Sequence, residues 1–342
     1  MTTGPGPLRV SVCIPTLNAA DALEECLESI AFQDYPRDLV ETVVADGGST
    51  DATRQVAERY GARVVDNPLK TGEAGKAAAA TAATGDVCAF IDSDNILPTG
   101  DWLSQMLAPF AHEHIVATEP IRYTRRSSDP ATTRYFAMLG MNDPVCLFIG
   151  NYDRMCAVTG TWTGLPVPTA DRGGWLECEL GEGALPTIGA NGFLIRRSDL
   201  LSTPYAPYLF DIDIMVDLIR RGRNRVAKVD CGIVHLYTSD LEGFARKQRR
   251  RVRDFHTHKA LGDRSYDWST GRGGVLRFAV LTALTLPTVW QALKGFRRRP
   301  DLAWALHPAA CWITLWVYGV ETLRAKTGRG REEDRSDWKQ VS

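Results

Sequence analysis

Phe90-Ile91-Asp92-Ser93-Asp94-Asn95 closes an apolar run that begins at Val87. Four-to-five apolar residues ending abruptly in two carboxylates describe a buried strand with acids at its carboxyl end. Open α/β sheets bind ligands beyond the carboxyl ends of their strands. Two carboxylates one residue apart repel each other unless positive charge sits between them. A divalent cation carrying a diphosphate meets that need, since hard oxygen ligands suit Mg²⁺ or Mn²⁺. Short acidic pairs are also common in turns. The position after a strand gives this one its weight.

The residues upstream supply the rest of such a sheet. Residues 9–14 read as a strand stopped at Pro15, and 19–32 place Leu23, Cys26, Leu27 and Ile30 at helical spacing. A second strand spans 40–45 and stops at Asp46-Gly47-Gly48-Ser49-Thr50-Asp51, where Thr50 or Asp51 would cap a helix over 52–60. Residues 63–65 form a third strand, 75–83 an Ala-rich helix and 87–91 the fourth strand. Strands alternating with helices of this length imply right-handed βαβ units and an open, mostly parallel twisted sheet flanked by helices. Residues 120–190 are irregular, and loops of that length in a compact domain are usually functional. Order is expected again at 188–195, in a helix from Asp211, in two strands over 225–229 and 233–236, and in a basic helix over 241–258.

With 342 residues and a formal net charge of −1, the chain has room for a large core and no global attraction to nucleic acid. Its eight cysteines include no CxxC pair and sit mostly in apolar runs, so they read as reduced core residues of a cytosolic protein. No signal peptide is visible in the first residues. Basic residues cluster at 246–259 and 294–299. Residues 278–293 and 302–323 are apolar, each near the lower limit of the roughly 20 residues a bilayer crossing needs. A crossing hairpin would put the basic loop on the side away from a cytosolic catalytic region, against the positive-inside tendency. A peripheral or re-entrant helical pair on the cytoplasmic face of the membrane avoids the conflict. The alternatives are an integral hairpin, a soluble helical subdomain and an oligomer interface, with the oligomeric state open. The expected division is a short N-terminus (1–7), a catalytic domain (8–260, with halves at 8–118 and 119–260), an apolar helical appendage (261–325) and a charged tail (326–342).

Pro15-Thr16-Leu17-Asn18 after the first strand and Asp46 after the second are each explicable as turn residues. Together with Asp92 and Asp94 they make three polar sites at successive strand ends, which suggests one extended ligand. Thr71-Gly72-Glu73-Ala74-Gly75-Lys76 is not a phosphate-binding P-loop, because the glycine spacing is wrong and Ala77 follows the lysine.

On Pro15-Thr16-Leu17-Asn18, Asp46-Gly47-Gly48-Ser49-Thr50-Asp51, Asp92-Ser93-Asp94, Gly189-Ala190-Asn191-Gly192 and Asp211-Ile212-Asp213, the chain resembles glycosyltransferase family 2, inverting enzymes with the GT-A fold. The resemblance covers about 8–260. It implies transfer of a sugar from a nucleotide diphosphate sugar to a hydroxyl or phosphate. The donor site would comprise Pro15, Thr16, Asn18, Asp46, Lys76, Asp92, Ser93, Asp94 and Arg249. Thr16 and Asp46 would meet the base, Asp92 the ribose or sugar, and Asp94 the Mg²⁺ or Mn²⁺. Asp92 and His235 would complete the metal set. Inverting transfer needs one general base. The family's Glu-Asp-x-Asp-Leu aligns with Phe210-Asp211-Ile212-Asp213-Ile214, leaving Asp211 and Asp213 as candidates. Either acid could instead cap a helix and offset its dipole. In the basic run from Arg246 to Arg251, one arginine (Arg249) is assigned to the phosphate and the others to anionic lipid. A lipid-linked or glycan acceptor follows from that tail. A non-catalytic transferase-like membrane scaffold and a sugar nucleotidyltransferase are the competing classes. The latter usually carries a Gly-rich loop with Arg and Lys after the first strand, and 15–20 has neither.

Overall fold

A computed structural model describes residues 6–189, 191–261, 264–266 and 271–327. Ala190 of the Gly189–Gly192 motif, and most of the tail expected at 326–342, lie outside the described residues. The elements run β1 (Val10–Thr16), α1 (Ala20–Ala31), β2 (Val40–Asp46), α2 (Thr53–Arg59), β3 (Arg63–Asp66), α3 (Gly72–Ala82), β4 (Val87–Phe90), β5 (Asn95–Ile96), α4 (Trp102–Leu107) and β6 (Ile115–Thr124). They continue through α5 (Ala131–Leu139), α6 (Val145–Ile149), β7 (Thr169–Asp171), β8 (Trp175–Glu179), β9 (Phe193–Arg196), α7 (Arg197–Leu201), α8 (Asp211–Arg220), β10 (Arg225–His235) and α9 (Leu241–Leu261). Three helices follow: α10 (Arg272–Ala283), α11 (Leu286–Arg298) and α12 (His307–Lys326).

One sheet carries all ten strands in the order β3-β2-β1-β4-β9-β6-β10-β8-β7, with β5 paired to β10. β1, β2, β3 and β4 are mutually parallel, as βαβ logic requires. The second half is mixed, because β9 runs antiparallel to both β4 and β6 while β6 and β10 are parallel. Alternation along β1 sorts its side chains to two faces. Val10, Val12 and Ile14 pack with Leu23, Cys26 and Leu27 of α1 and with Trp102 of α4. Cys13 points the other way, into a core with Ala77 and Ala80 of α3 and Met215 of α8. The chain steps from β1 outward to β3, then returns through α3 to place β4 on the other side of β1. That reversal opens a crevice at the carboxyl ends of β1 and β4.

Several boundaries differ from the sequence expectation for identifiable reasons. The strands expected at 225–229 and 233–236 are one strand whose pairing with β6 shifts between Val229 and Gly232. Gly232 lies against Thr124, where an added Cβ would stand 2.0 Å from the hydroxyl, so its glycine serves strand contact and not a turn. Helix α2 starts at Thr53, and Asp51 binds the Thr53 amide (3.0 Å) as a turn ahead of the helix. The apolar run 278–293 breaks at Thr285 (φ +59°), and α11 restarts with Pro287 in its first turn. The two pieces meet at 96°, and no single helix among the described residues is long and apolar enough to cross a membrane. All eight cysteines are free thiols, and all but Cys146 are buried.

Candidate active site

The crevice begins with Thr16, which lies in register with Asp46 at the ends of β1 and β2. The Thr16 hydroxyl is buried without a protein partner. Asp46 is buried, but its carboxylate accepts from Arg54 (3.0 Å) and from the Ser49 hydroxyl (2.5 Å). Asn18, at φ +49°, accepts from the Thr50 amide (2.8 Å) and donates its own amide to Ser49 Oγ (2.8 Å). Asp46 and Asn18 therefore lace the two strand-end loops into one rim. Pro15 lies under helix α3, where a Cβ on Gly75 would come within 2.7 Å of the proline ring. That close approach, and the cap that Thr71 provides to Ala74 (3.0 Å), set the first turn of α3 and aim Lys76 inward.

Across β1, the segment after β4 carries Asp92, buried Ser93 and Asp94. The Asp94 carboxylate lies 3.5 Å from His235 Nε2 at the end of β10 and 3.7 Å from Lys247 Nζ on α9. Burial opposes its ionisation, but His235 and then Lys247 outweigh burial and hold its pKa down at about 2. Lys247 also donates to the Tyr237 carbonyl and sits over that ring, and burial pushes its pKa down. The Asp92 carboxylate has no hydrogen-bond or ion-pair partner among the described residues, and its charge reaches Lys76, Asp211 and Lys247. The expected triad of Asp92, Asp94 and His235 does not close: no group of three such side chains among the described residues could enclose an ion. Asp94 and His235 alone converge.

Facing this edge, Asp211 opens helix α8 and meets Lys76 at 2.7 Å. One carboxylate oxygen takes the lysine, and the other is buried with no partner. Burial raises the Asp211 pKa to about 7, opposed by Lys76 and reinforced by Asp92 and Glu73. Gly189 presses on the same side chain: at φ +117°, a Cβ there would fall 2.0 Å from that of Asp211. Only glycine permits that approach. Asp213 does not share the crevice with Asp211. At 3.6 residues per turn, residues two apart point about 200° away from each other. Asp213 accordingly turns back to Arg264 and the Tyr266 amide (2.9 Å), an anchor for the chain after α9.

The same helix geometry corrects Arg249. Lys247 faces the cleft, so Arg249 points oppositely, 3.6 Å from Glu321 of α12. It does not reach the donor edge. Its neighbours are also engaged, with Arg253 on Glu321 (2.9 Å), Arg246 on Glu242 (2.8 Å) and Arg251 3.5 Å from Asp143. The sequence reading missed Lys247, whose signal was its two-residue offset from Arg249.

A buried charge cluster supports the loop that carries Gly189 and Asn191. Glu119 of β6 pairs with Arg154 (2.9 Å) and with Lys228 of β10, all essentially inaccessible. Its other oxygen accepts from the Gly189 amide (2.8 Å), and Arg154 donates to the Asn191 carbonyl (3.3 Å). Asn191 in turn accepts from Asn95 Nδ2 (3.0 Å), beside Asp94. Charged residues inside the apolar runs of β6 and β10 were the visible signal for this network.

Residues 11–159 match the model for Glycosyl transferase family 2. Glycosyltransferase AglE of Haloferax volcanii is 24% identical over 139 residues, covering 39% of this chain and 45% of that protein. Glucosyl-3-phosphoglycerate synthase of Mycobacterium tuberculosis is 29% identical over 239 residues, or 66% of this chain and 65% of that one. The matches thus span less than two thirds of either relative. Among solved structures, the mannosyltransferase PcManGT of Pyrobaculum calidifontis, in complex with GDP-Man and Mn²⁺, shares the fold at a TM-score of 0.53. It is 19% identical, with 94% of this chain and 87% of that chain covered. The matched residues thus include Thr16, Asp46, Lys76, Asp92 and Asp94, while His235, Lys247 and Asp211 lie beyond them.

Proposed function

We propose that the chain transfers a sugar from a nucleotide diphosphate sugar to a hydroxyl or phosphate on a lipid-linked or glycan acceptor, with inversion at the anomeric carbon. One observation carries the reading. A buried carboxylate poised near neutral pH, Asp211, stands across the crevice from an acidic strand end, with one oxygen held by Lys76 and the other unbonded. A carboxylate with that pKa is suited to take a proton at physiological pH. For a hydroxyl acceptor, the free oxygen of Asp211 takes the hydroxyl proton. The acceptor oxygen forms its bond to the anomeric carbon as the bond to the diphosphate breaks on the opposite face. The nucleoside diphosphate leaves with the electron pair. A phosphate acceptor already ionised would need no such proton transfer.

The orphan hydroxyl of Thr16, deep at the rim, is a ready partner for a polar edge of the nucleobase. Asp46 is engaged by Arg54, so it acts on a base either directly through a remaining lone pair or by holding the Ser49 loop. Lys76 and Lys247 both bring positive charge within reach of Asp92. For a divalent ion, Asp94 and His235 fit as a carboxylate and imidazole pair, the remaining ligands coming from donor oxygens and water. Bound there, Mg²⁺ or Mn²⁺ would neutralise charge on the departing diphosphate. The relative named as a glycosyltransferase supports the reaction class.

The test is nucleoside diphosphate release from UDP-, GDP- and dTDP-sugars with lipid-linked and phosphorylated acceptors, with and without Mn²⁺, and product configuration by NMR. Asp211→Asn should bind donor and fail to transfer to a hydroxyl. Retained transfer, or a product that keeps the donor's anomeric configuration, would refute the assignment.

A further inference from the structure

Sixteen large apolar side chains are exposed among the described residues, and thirteen of them lie between Val275 and Leu323. This concentration is the opposite of what surface helices of a water-soluble protein show, where the outward face is polar. The inner faces of α10, α11 and α12 are already used. Phe278, Ala292, Trp304, Ala310 and Cys311 are buried against Tyr135, Phe148, Tyr152 and Phe244. Glycine permits the contacts, since a Cβ on Gly274 would come within 2.8 Å of Ile149 and one on Gly295 within 2.5 Å of Trp304. The outward residues include Leu276, Leu284, Leu286, Trp290, Leu302 and Trp316, exposed by 58–85%. A concentration of exposed apolar side chains on a packed helical unit marks a partner surface.

Charge selects the partner. Residues 272–327 hold eight Lys and Arg and two carboxylates, Asp301 and Glu321. Both carboxylates are consumed by ion pairs with the rest of the chain: Asp301 with Arg125 and Arg134, Glu321 with Arg249 and Arg253. Lys294, Arg297 and Arg299 remain on the surface beside the apolar face. A second copy would bring the same cations against these, whereas an anionic bilayer offers both hydrocarbon and negative headgroups. The bend favours a surface seat. Helices of 12 and 13 residues, each about 20 Å long, meet at 96°, so neither alone spans about 30 Å of hydrocarbon, and only the two together have the length and composition of a bent insertion. Exposed Trp290, Trp312 and Trp316 are of the kind that settles at the headgroup level, and the long basic side chains can reach the phosphates.

We infer that the outer face of α10–α12 seats the protein in the plane of an anionic lipid leaflet. The cations that hold it belong to α10–α12, not to the basic run of α9, whose arginines are largely tied within the protein. Such a seat places the transferase at the leaflet rich in anionic lipid, which in cells is the cytoplasmic face.

The experiment is co-sedimentation of the full chain with vesicles of phosphatidylcholine alone and with a third phosphatidylglycerol, together with quenching of tryptophan fluorescence by brominated acyl chains. Binding to the mixed vesicles should exceed that to neutral ones by about tenfold and fall with salt, with quenching of tryptophan emission. The variant L276E/L286E/W316E should lose binding at least tenfold. R297Q/R299Q should lose the anionic preference, with melting temperature near wild type. Donor-induced thermal stabilisation in both variants, measured without lipid, should be unchanged, so this outcome is separable from failure of the transferase reading. Absence of vesicle binding, binding indifferent to R297Q/R299Q, or a dimer by analytical ultracentrifugation that the L276E/L286E/W316E variant dissociates while vesicles do not compete, would overturn the inference.

Discussion

Replacing Lys76 by Met removes the cation 2.7 Å from Asp211 without removing the carboxylate. Both side chains are mostly buried, at 9% and 17% exposure, so solvent replaces little of what is lost. A hydrogen bond to a charged group contributes about 1.5–3 kcal/mol, and 1.36 kcal/mol corresponds to one pKa unit. The Asp211 pKa, already raised to about 7 by burial, should therefore climb by roughly one to two further units. At pH 7 the ionised fraction drops from about half to roughly 1–10%, a loss of about 5–50-fold in kcat/KM that is largely recovered above about pH 9. The assay is a pH–rate profile for a hydroxyl acceptor, using coupled detection of nucleoside diphosphate, for the wild type, Lys76→Met and Lys76→Arg. The arginine variant should keep the acidic limb near its original position. A limb that does not move in Lys76→Met, with a uniform loss at every pH, would show that Lys76 serves the donor and does not set the basicity of Asp211.

Asp213→Asn should leave the acidic limb in place and lower stability by about 1–3 kcal/mol, measured by chemical denaturation, because it weakens the tie to Arg264 and the Tyr266 amide. Gly189→Ala should reduce kcat by about 100-fold with little change in donor affinity, since the new methyl displaces Asp211. A variant with wild-type kcat would mean that the loop and helix part freely. Asp94→Ala should abolish the Mn²⁺-dependent part of donor-induced thermal stabilisation, and metal dependence surviving the change would move the ion elsewhere. Folding raises the Asp211 pKa from 3.8 to about 7, so its protonated form contributes stability that is full below about pH 4 and is lost as pH rises through about 7. The stability of wild type relative to Asp211→Asn should fall over that window by up to about 4 kcal/mol. A difference flat with pH would refute the raised pKa.

The first half of the fold was legible because each element announces itself locally. β1 runs through Pro15 to Thr16, one residue pair past the expected stop, β2 ends at Asp46, β4 ends at Phe90 just before the acidic pair, and α1 buries its i, i+3, i+4 stripe. The parallel pairing of β1 to β4 then follows from their helical connections, while the strand order comes from the structure. The second half was less legible because its contacts are long-range. Nothing near Arg249 signals Glu321 on α12, and nothing near Asp213 signals Arg264. In both places the choice between two charged residues two apart was decided by which helix face the tertiary packing turned inward. Asp46 and Asn18 show a further limit. Polar residues at strand ends mark a rim, but their side chains are spent largely on lacing it together.

Lys76 and Asp211 are separated by 135 positions in the chain yet bonded in the structure. During synthesis, at about 5–20 residues per second, the strands and helices around Lys76 are complete several seconds before position 211 is joined. The nascent chain is accordingly disarmed until its later half closes over the earlier one. A break anywhere in the intervening 134 residues, even one that spared every side chain of the crevice, would yield two fragments that must find each other before either could react.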